Sequence, residues 1–104
     1  MAAPWNPPKN GEDFEFNISL ADMSIPGSFK ANPTLAAGDV KISKDGGAFA
    51  NLATLPSVEP AAGISIKVAL SATEMTADKV MIAFIDQTDP KEWADASICI
   101  LTTA

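Results

Sequence analysis

Asp39-Val40-Lys41-Ile42-Ser43-Lys44-Asp45-Gly46-Gly47-Ala48-Phe49-Ala50-Asn51-Leu52 is the segment around which this chain is organised. Val40 and Ile42 alternate with Lys41 and Ser43, the period-2 pattern of a half-buried strand. Lys44-Asp45-Gly46-Gly47 then reads as a tight hairpin turn. A type I′ turn needs positive φ at both central residues, which Asp tolerates and Gly adopts freely. Residues 48–52 can then run back antiparallel. Replacing Gly46 or Gly47 by a β-branched residue is expected to cost stability for each residue forced left-handed. The hairpin is a folding element with no chemistry of its own.

The same periodicity extends outward from it. Phe14, Phe16, Ile18 and Leu20 alternate with Asp13, Glu15, Asn17 and Ser19, predicting a strand with one wet and one dry face. Residues 21–38 are interrupted by Pro26-Gly27 and Asn32-Pro33, so only a short strand or edge segment is expected over residues 25–30. Residues 55–63 read as a long turn or edge crossing. Ile64, Ile66, Val68 and Leu70 alternate cleanly with polar and small residues. Ser71 or Thr73 can cap one short helical turn in residues 71–78, with Met75 plugging the end of the core. Val80-Met81-Ile82-Ala83-Phe84-Ile85 is continuously apolar, as in a central strand covered on both sides or lying against another chain. Ile98-Cys99-Ile100-Leu101 closes the set. Six or seven short strands without a long helix predict an all-β fold, an antiparallel immunoglobulin-like β-sandwich, with a small barrel as the alternative. Residues 12–104 form that domain, preceded by a proline-rich extended arm over residues 1–11.

Composition narrows the functional classes. The chain has 104 residues, 13 acidic side chains against seven lysines, and no arginine, histidine or tyrosine. This balance repels phosphate, which argues against nucleic acid and against an anionic membrane surface. Without histidine the commonest general base and metal ligand is missing. No phosphate-binding glycine loop or nucleophile–base pair is present, so neither enzymatic activity nor a cofactor is expected. Asp86, Asp89, Glu92 and Asp95 recur every three residues but lack the EF-hand order and its glycine, and read as a solvated acidic loop. Cys99, the only cysteine, reads as a buried small hydrophobe. The amino terminus lacks the basic start and apolar run of a signal peptide, an expectation of cytoplasmic synthesis and assembly.

Candidate partner-binding residues are Trp5, Pro7, Pro8, Phe29 and Trp93. Pro4, Pro7 and Pro8 hold the arm extended. Trp5 within it belongs either to a fraying tail or to an arm docking on a neighbouring subunit. Phe29 reads first as core and second as partner surface. Trp93 reads as a lid folded onto the sandwich or as an exposed anchor.

Three segments in order resemble an immunoglobulin-like domain of tailed-bacteriophage virion proteins. They are Ala37-Gly38-Asp39-Val40-Lys41-Ile42-Ser43-Lys44-Asp45-Gly46-Gly47-Ala48-Phe49, then Val68-Ala69-Leu70-Ser71-Ala72-Thr73-Glu74-Met75-Thr76-Ala77-Asp78, then Phe84-Ile85-Asp86. In that group an extended strand, a KDGG turn and an aromatic residue precede a strand ending in L-[ST]-A-x-[ED]-M-x-A-D. Gly63 stands alone where the pattern has a Gly-Trp or Gly-Tyr pair, and the arm lies outside it. The resemblance implies a structural protein located in the virion. The expected form is a capsid decoration (cement) protein, oligomeric within the particle and bound to the major capsid protein or other virion subunits. A neck or tail accessory protein and a receptor- or carbohydrate-binding fibre module are the alternatives.

Overall fold

The computed structural model describes residues 7–103. Among these residues seven strands build two antiparallel sheets: β1 (Phe14–Ser19), β2 (Val40–Lys44), β3 (Ala50–Asn51), β4 (Ser57–Val58), β5 (Ser65–Leu70), β6 (Lys79–Phe84) and β7 (Ala96–Leu101). One sheet has the order β1-β5-β4 and the other β3-β2-β6-β7. Two separate sheets replace the alternative of a closed barrel. The interior draws on both: Leu20, Ile66, Val68 and Leu70 from one side pack with Val40, Ile42, Val80, Ile82, Phe84 and Ile100 from the other. Each set comes from the apolar phase of an alternating strand. Burying such side chains contributes roughly 1.5–3 kcal/mol apiece against the entropy of chain ordering.

The hairpin forms as read, with one modification. Asp45 and Gly46 take φ of 51° and 78°, and the Gly47 N–H donates to the Lys44 carbonyl at 2.9 Å. A perfect two-residue hairpin would place Ile42 opposite Phe49. Instead Ile42 faces Ala50 and Lys41 faces Asn51, so one extra residue bulges from the returning strand. The Ser43 hydroxyl donates to the Gly47 carbonyl at 2.7 Å and is buried under that bulge. Gly47 does not have positive φ, so the expected left-handed penalty falls on Gly46 and not on Gly47.

Strand directions sort the loops into two ends. One end gathers residues 9–11, the Asp45-Gly46 turn, residues 71–78 and Thr103. The other gathers residues 20–39, 59–64 and 85–95. At the first end Ser71 and Glu74 form a capping box. The Glu74 N–H donates to Ser71 Oγ at 3.2 Å, while Glu74 Oε1 accepts the Ser71 N–H at 2.9 Å and Oε2 the Ala53 N–H at 3.0 Å. The turn lets Met75, fully buried, plug the core as expected.

Three expectations are corrected. Residues 25–30 form no named strand; their contribution is an isolated bridge between Ala21 and Phe29. Phe29 is 55% exposed and not core, because its neighbours form a projecting hairpin. Cys99 is exposed, since Ile98 and Ile100 take the inward phase of β7 and turn Cys99 and Leu101 to the outer face.

Candidate interaction surface

Beyond Ser19 the chain makes a small hairpin of its own. Asp22 and Ser28 are joined by the Asp22 N–H to Ser28 carbonyl bond, 2.9 Å, and Lys30 returns to the Leu20 carbonyl at 2.7 Å. Ile25-Pro26-Gly27-Ser28 closes it as a type II turn. Pro26 supplies the first central φ, Gly27 the positive second one at 85°, and the Ser28 N–H reaches the Ile25 carbonyl at 3.2 Å. Asp22 Oδ1 accepts the N–H groups of Ser24 and Ile25, which ties down the rising limb.

This hairpin is braced from below by the β6–β7 loop. Asp22 bridges Trp93, the Met23 N–H donates to the Glu92 carbonyl at 3.0 Å, and the Ala94 N–H donates to the Ala21 carbonyl at 2.9 Å. Trp93 itself is wholly buried, with its indole N–H donating to the Thr34 carbonyl at 3.3 Å. Of its two readings the structure therefore matches the lid: its side chain supports the surface without forming part of it. What the bracing displays is Met23, Ile25 and Phe29, each more than half exposed, on a backbone whose N–H groups at Asp22, Met23, Ser24, Ile25, Ser28 and Lys30 are bonded. Three exposed apolar side chains gathered on one short hairpin make it a candidate contact site.

Acidic residues of the same end hold loops in place. Asp86 is buried; its Oδ1 accepts the Thr88 N–H at 2.8 Å and its Oδ2 the Glu92 N–H at 2.7 Å. Burial pushes its pKa up, but the N–H donors of Thr88, Glu92 and Trp93 together with the Thr88 side chain more than offset this. The carboxyl is held below its ordinary 3.8. Asp39 Oδ1 accepts the Gln87 N–H at 3.0 Å and Oδ2 the Ala36 N–H at 2.9 Å, joining the loops before β2 and after β6. Asp95 pairs with Lys91. Among the described residues no three acidic or thiol groups converge as a metal site, and every buried side-chain polar atom has a partner.

The sequence-selected residues thus separate. Phe29 and Trp93 share one end of the sandwich, linked through the Asp22 bridge. Pro7 and Pro8 are half-buried at the opposite end, where the Pro8 carbonyl accepts the Thr103 N–H at 2.8 Å. Trp5 lies outside the described residues. Met23 and Ile25 were not among the candidate residues, although their position just before a Pro-Gly turn was a usable signal. A second apolar area covers the outer face of the four-stranded sheet, where Lys41, Phe49, Ala83 and Ile85 help line a groove of about 230 Å³. No family model, curated protein or solved structure matches this chain.

Proposed function

We infer that this chain is a non-enzymatic structural subunit of a bacteriophage particle, a decoration protein attached to the outside of the capsid shell. The observation that carries the contact role is the braced hairpin presenting Met23, Ile25 and Phe29 to solvent. A contact surface of this kind suits a subunit whose task is to be bound. Association with the shell would stabilise both partners by mass action.

Two further observations support the reading. The strand orders β1-β5-β4 and β3-β2-β6-β7 correspond to the distribution of strands B-E-D and C′-C-F-G in an immunoglobulin sandwich. Two of the three sequence segments of the phage resemblance also meet in space. Asp45 Oδ1 accepts the N–H groups of Asp78 and Lys79 at 3.1 and 3.0 Å, and Lys44 Nζ donates to the Thr73 carbonyl at 3.1 Å. The KDGG turn and the segment ending in Ala77-Asp78 are one folding unit, which gives a physical reason for the two to occur together.

Copy number in purified particles is the test. Stoichiometry matching the shell subunit is expected. A single ring's worth would move the protein to the neck or tail, and absence from particles would sink the virion reading. In the same particles, the combined variant Met23→Ser, Ile25→Ser, Phe29→Ser should fold normally and lose occupancy. Undiminished occupancy would remove the hairpin from the interface.

A further inference from the structure

We propose that Asn10 is a deamidation site, and that the acidic product releases residues 8–11 from the sandwich and keeps them released. The proposal stands independently of the virion reading, since it concerns chemistry within one chain.

The sequence singles out the residue. Asparagine is chemically labile because the backbone nitrogen of the next residue can attack its Cγ. A following glycine, with no side chain in the way, favours that attack. Of the five asparagines only Asn10 precedes a glycine, Gly11. Asn6 and Asn32 precede Pro7 and Pro33, which have no N–H to react. Asn17 and Asn51 lie in β1 and β3 and precede the branched Ile18 and Leu52. Asn10 and Gly11 are both exposed, so water reaches them.

In the folded chain both reactants are engaged elsewhere. Asn10 Nδ2 donates to the Ala77 carbonyl at 3.0 Å and to Asp78 Oδ1 at 3.4 Å. The Gly11 N–H, the nucleophile, donates to the Met75 carbonyl at 3.1 Å. Attack needs the two groups brought into line, which breaks these bonds. Local opening of residues 9–11 therefore gates the reaction. That segment is otherwise held by the Thr103 N–H to Pro8 carbonyl bond, 2.8 Å, and the Asn10 N–H to Thr103 carbonyl bond, 2.9 Å. Once it opens, the Gly11 nitrogen bonds to Asn10 Cγ, and its proton departs with the side-chain amide as ammonia. Water then opens the resulting succinimide at either carbonyl, giving aspartate or isoaspartate.

The product cannot remake the same contacts. The Ala77 carbonyl and the Asp78 carboxylate are both acceptors, so only an NH2 group can face them. A carboxylate at position 10 puts a third acceptor there and sets a second negative charge against Asp78. Isoaspartate also lengthens the main chain by one carbon between the amides of residues 10 and 11, which bond to Thr103 and Met75 on different elements. The other step of this type, Asp45-Gly46, is not equivalent. Closing and reopening its ring returns an acid and adds no charge.

The site is tested by peptide mapping with mass spectrometry, aspartate and isoaspartate resolved, after incubation of the full chain at mildly alkaline pH. In urea-unfolded chain the product should appear at Asn10 ahead of Asn17 and Asn51. In folded chain it should form about tenfold or more slowly, matching the exchange protection of the Gly11 amide and not the larger protection of Val68 or Ile82. Asn10→Asp, standing in for the simpler product, tests the release. Exchange of the Gly11 and Thr103 amides should quicken about fivefold or more, with Val68 and Ile82 unchanged. Adding Asp78→Asn, which returns a donor to the pair, should restore much of the protection. Equal reaction in folded and unfolded chain, or earlier reaction at Asn17 or Asn51, overturns the proposal. So does Gly11 and Thr103 exchange unmoved by Asn10→Asp, or a loss of protection that extends to Val68 and Ile82. Failure of Asp78→Asn to restore protection overturns the charge conflict as the cause of release.

Discussion

Asp45 and Gly46 show how much one turn position carries. Gly46 sits at φ 78° with open space around the site of a Cβ, so the cost of a side chain there is backbone strain alone. Gly46→Ala should lower unfolding free energy by about 1–2 kcal/mol, read from denaturant midpoints at unchanged m-value. Gly47→Ala should cost less, because its only conflict is a Cβ 3.1 Å from the Lys44 carbonyl. Equal losses at both would contradict the turn geometry. Asp86 is the residue through which pH should act. Its folded pKa lies below the ordinary 3.8, so its ionised form contributes stability above that value. The contribution is lost as pH falls through the folded pKa. Asp86→Asn turns an amide toward backbone donors and should cost about 1–3 kcal/mol at neutral pH. The gap between the two proteins should close on acidification below about pH 4. A gap that stays constant would show that the carboxylate's charge is not what holds the loop.

At the scale of elements, the connection from β5 to β6 is where local chemistry and tertiary structure reinforce each other. Ser71 and Glu74 satisfy each other's backbone, and Glu74 reaches across to Ala53. Glu74→Ala leaves the Ser71 and Ala53 N–H groups short of an acceptor and should destabilise by about 1–3 kcal/mol. Ser71→Ala, losing a single cap, should cost about 1 kcal/mol. If Ser71→Ala is the more damaging of the two, Glu74 is not the joining residue. The capping pattern was visible in the spacing of Ser71. The reach to Ala53 was not, since nothing local connects residues 21 apart. The same limit hid the bulge after Gly47, which comes from packing the returning strand against β2.

On the scale of the whole molecule, the two residues most open to interpretation take opposite roles. Trp93 is enclosed by the hairpin that starts at Ala21, while Phe29 of that hairpin faces water. Trp93→Ala should therefore cost about 3–5 kcal/mol and loosen the whole loop end. Phe29→Ser should stay within roughly 0.5 kcal/mol of the parent in thermal or chemical unfolding. A large loss from Phe29→Ser would return that residue to the core. On the proposed contact role, the two ends divide the work. One end joins the KDGG turn to the 71–78 segment. The other displays the apolar hairpin.

By itself the sequence determined the β class, the main strands, the Asp45-Gly46 turn and the Met75 plug. Each rests on period-2 alternation or on local backbone preference, which neighbouring residues carry. Only the tertiary structure decided that Trp93 lies inside while Phe29 and Cys99 lie outside. It also decided that Asp45 binds the chain at Asp78 and Lys79, and that Lys9 bridges Thr103 just beyond the end of β7. Those outcomes depend on which distant segment arrives to cover a side chain or pair with a backbone group. Residues so far apart in sequence meet only when the sheets pack.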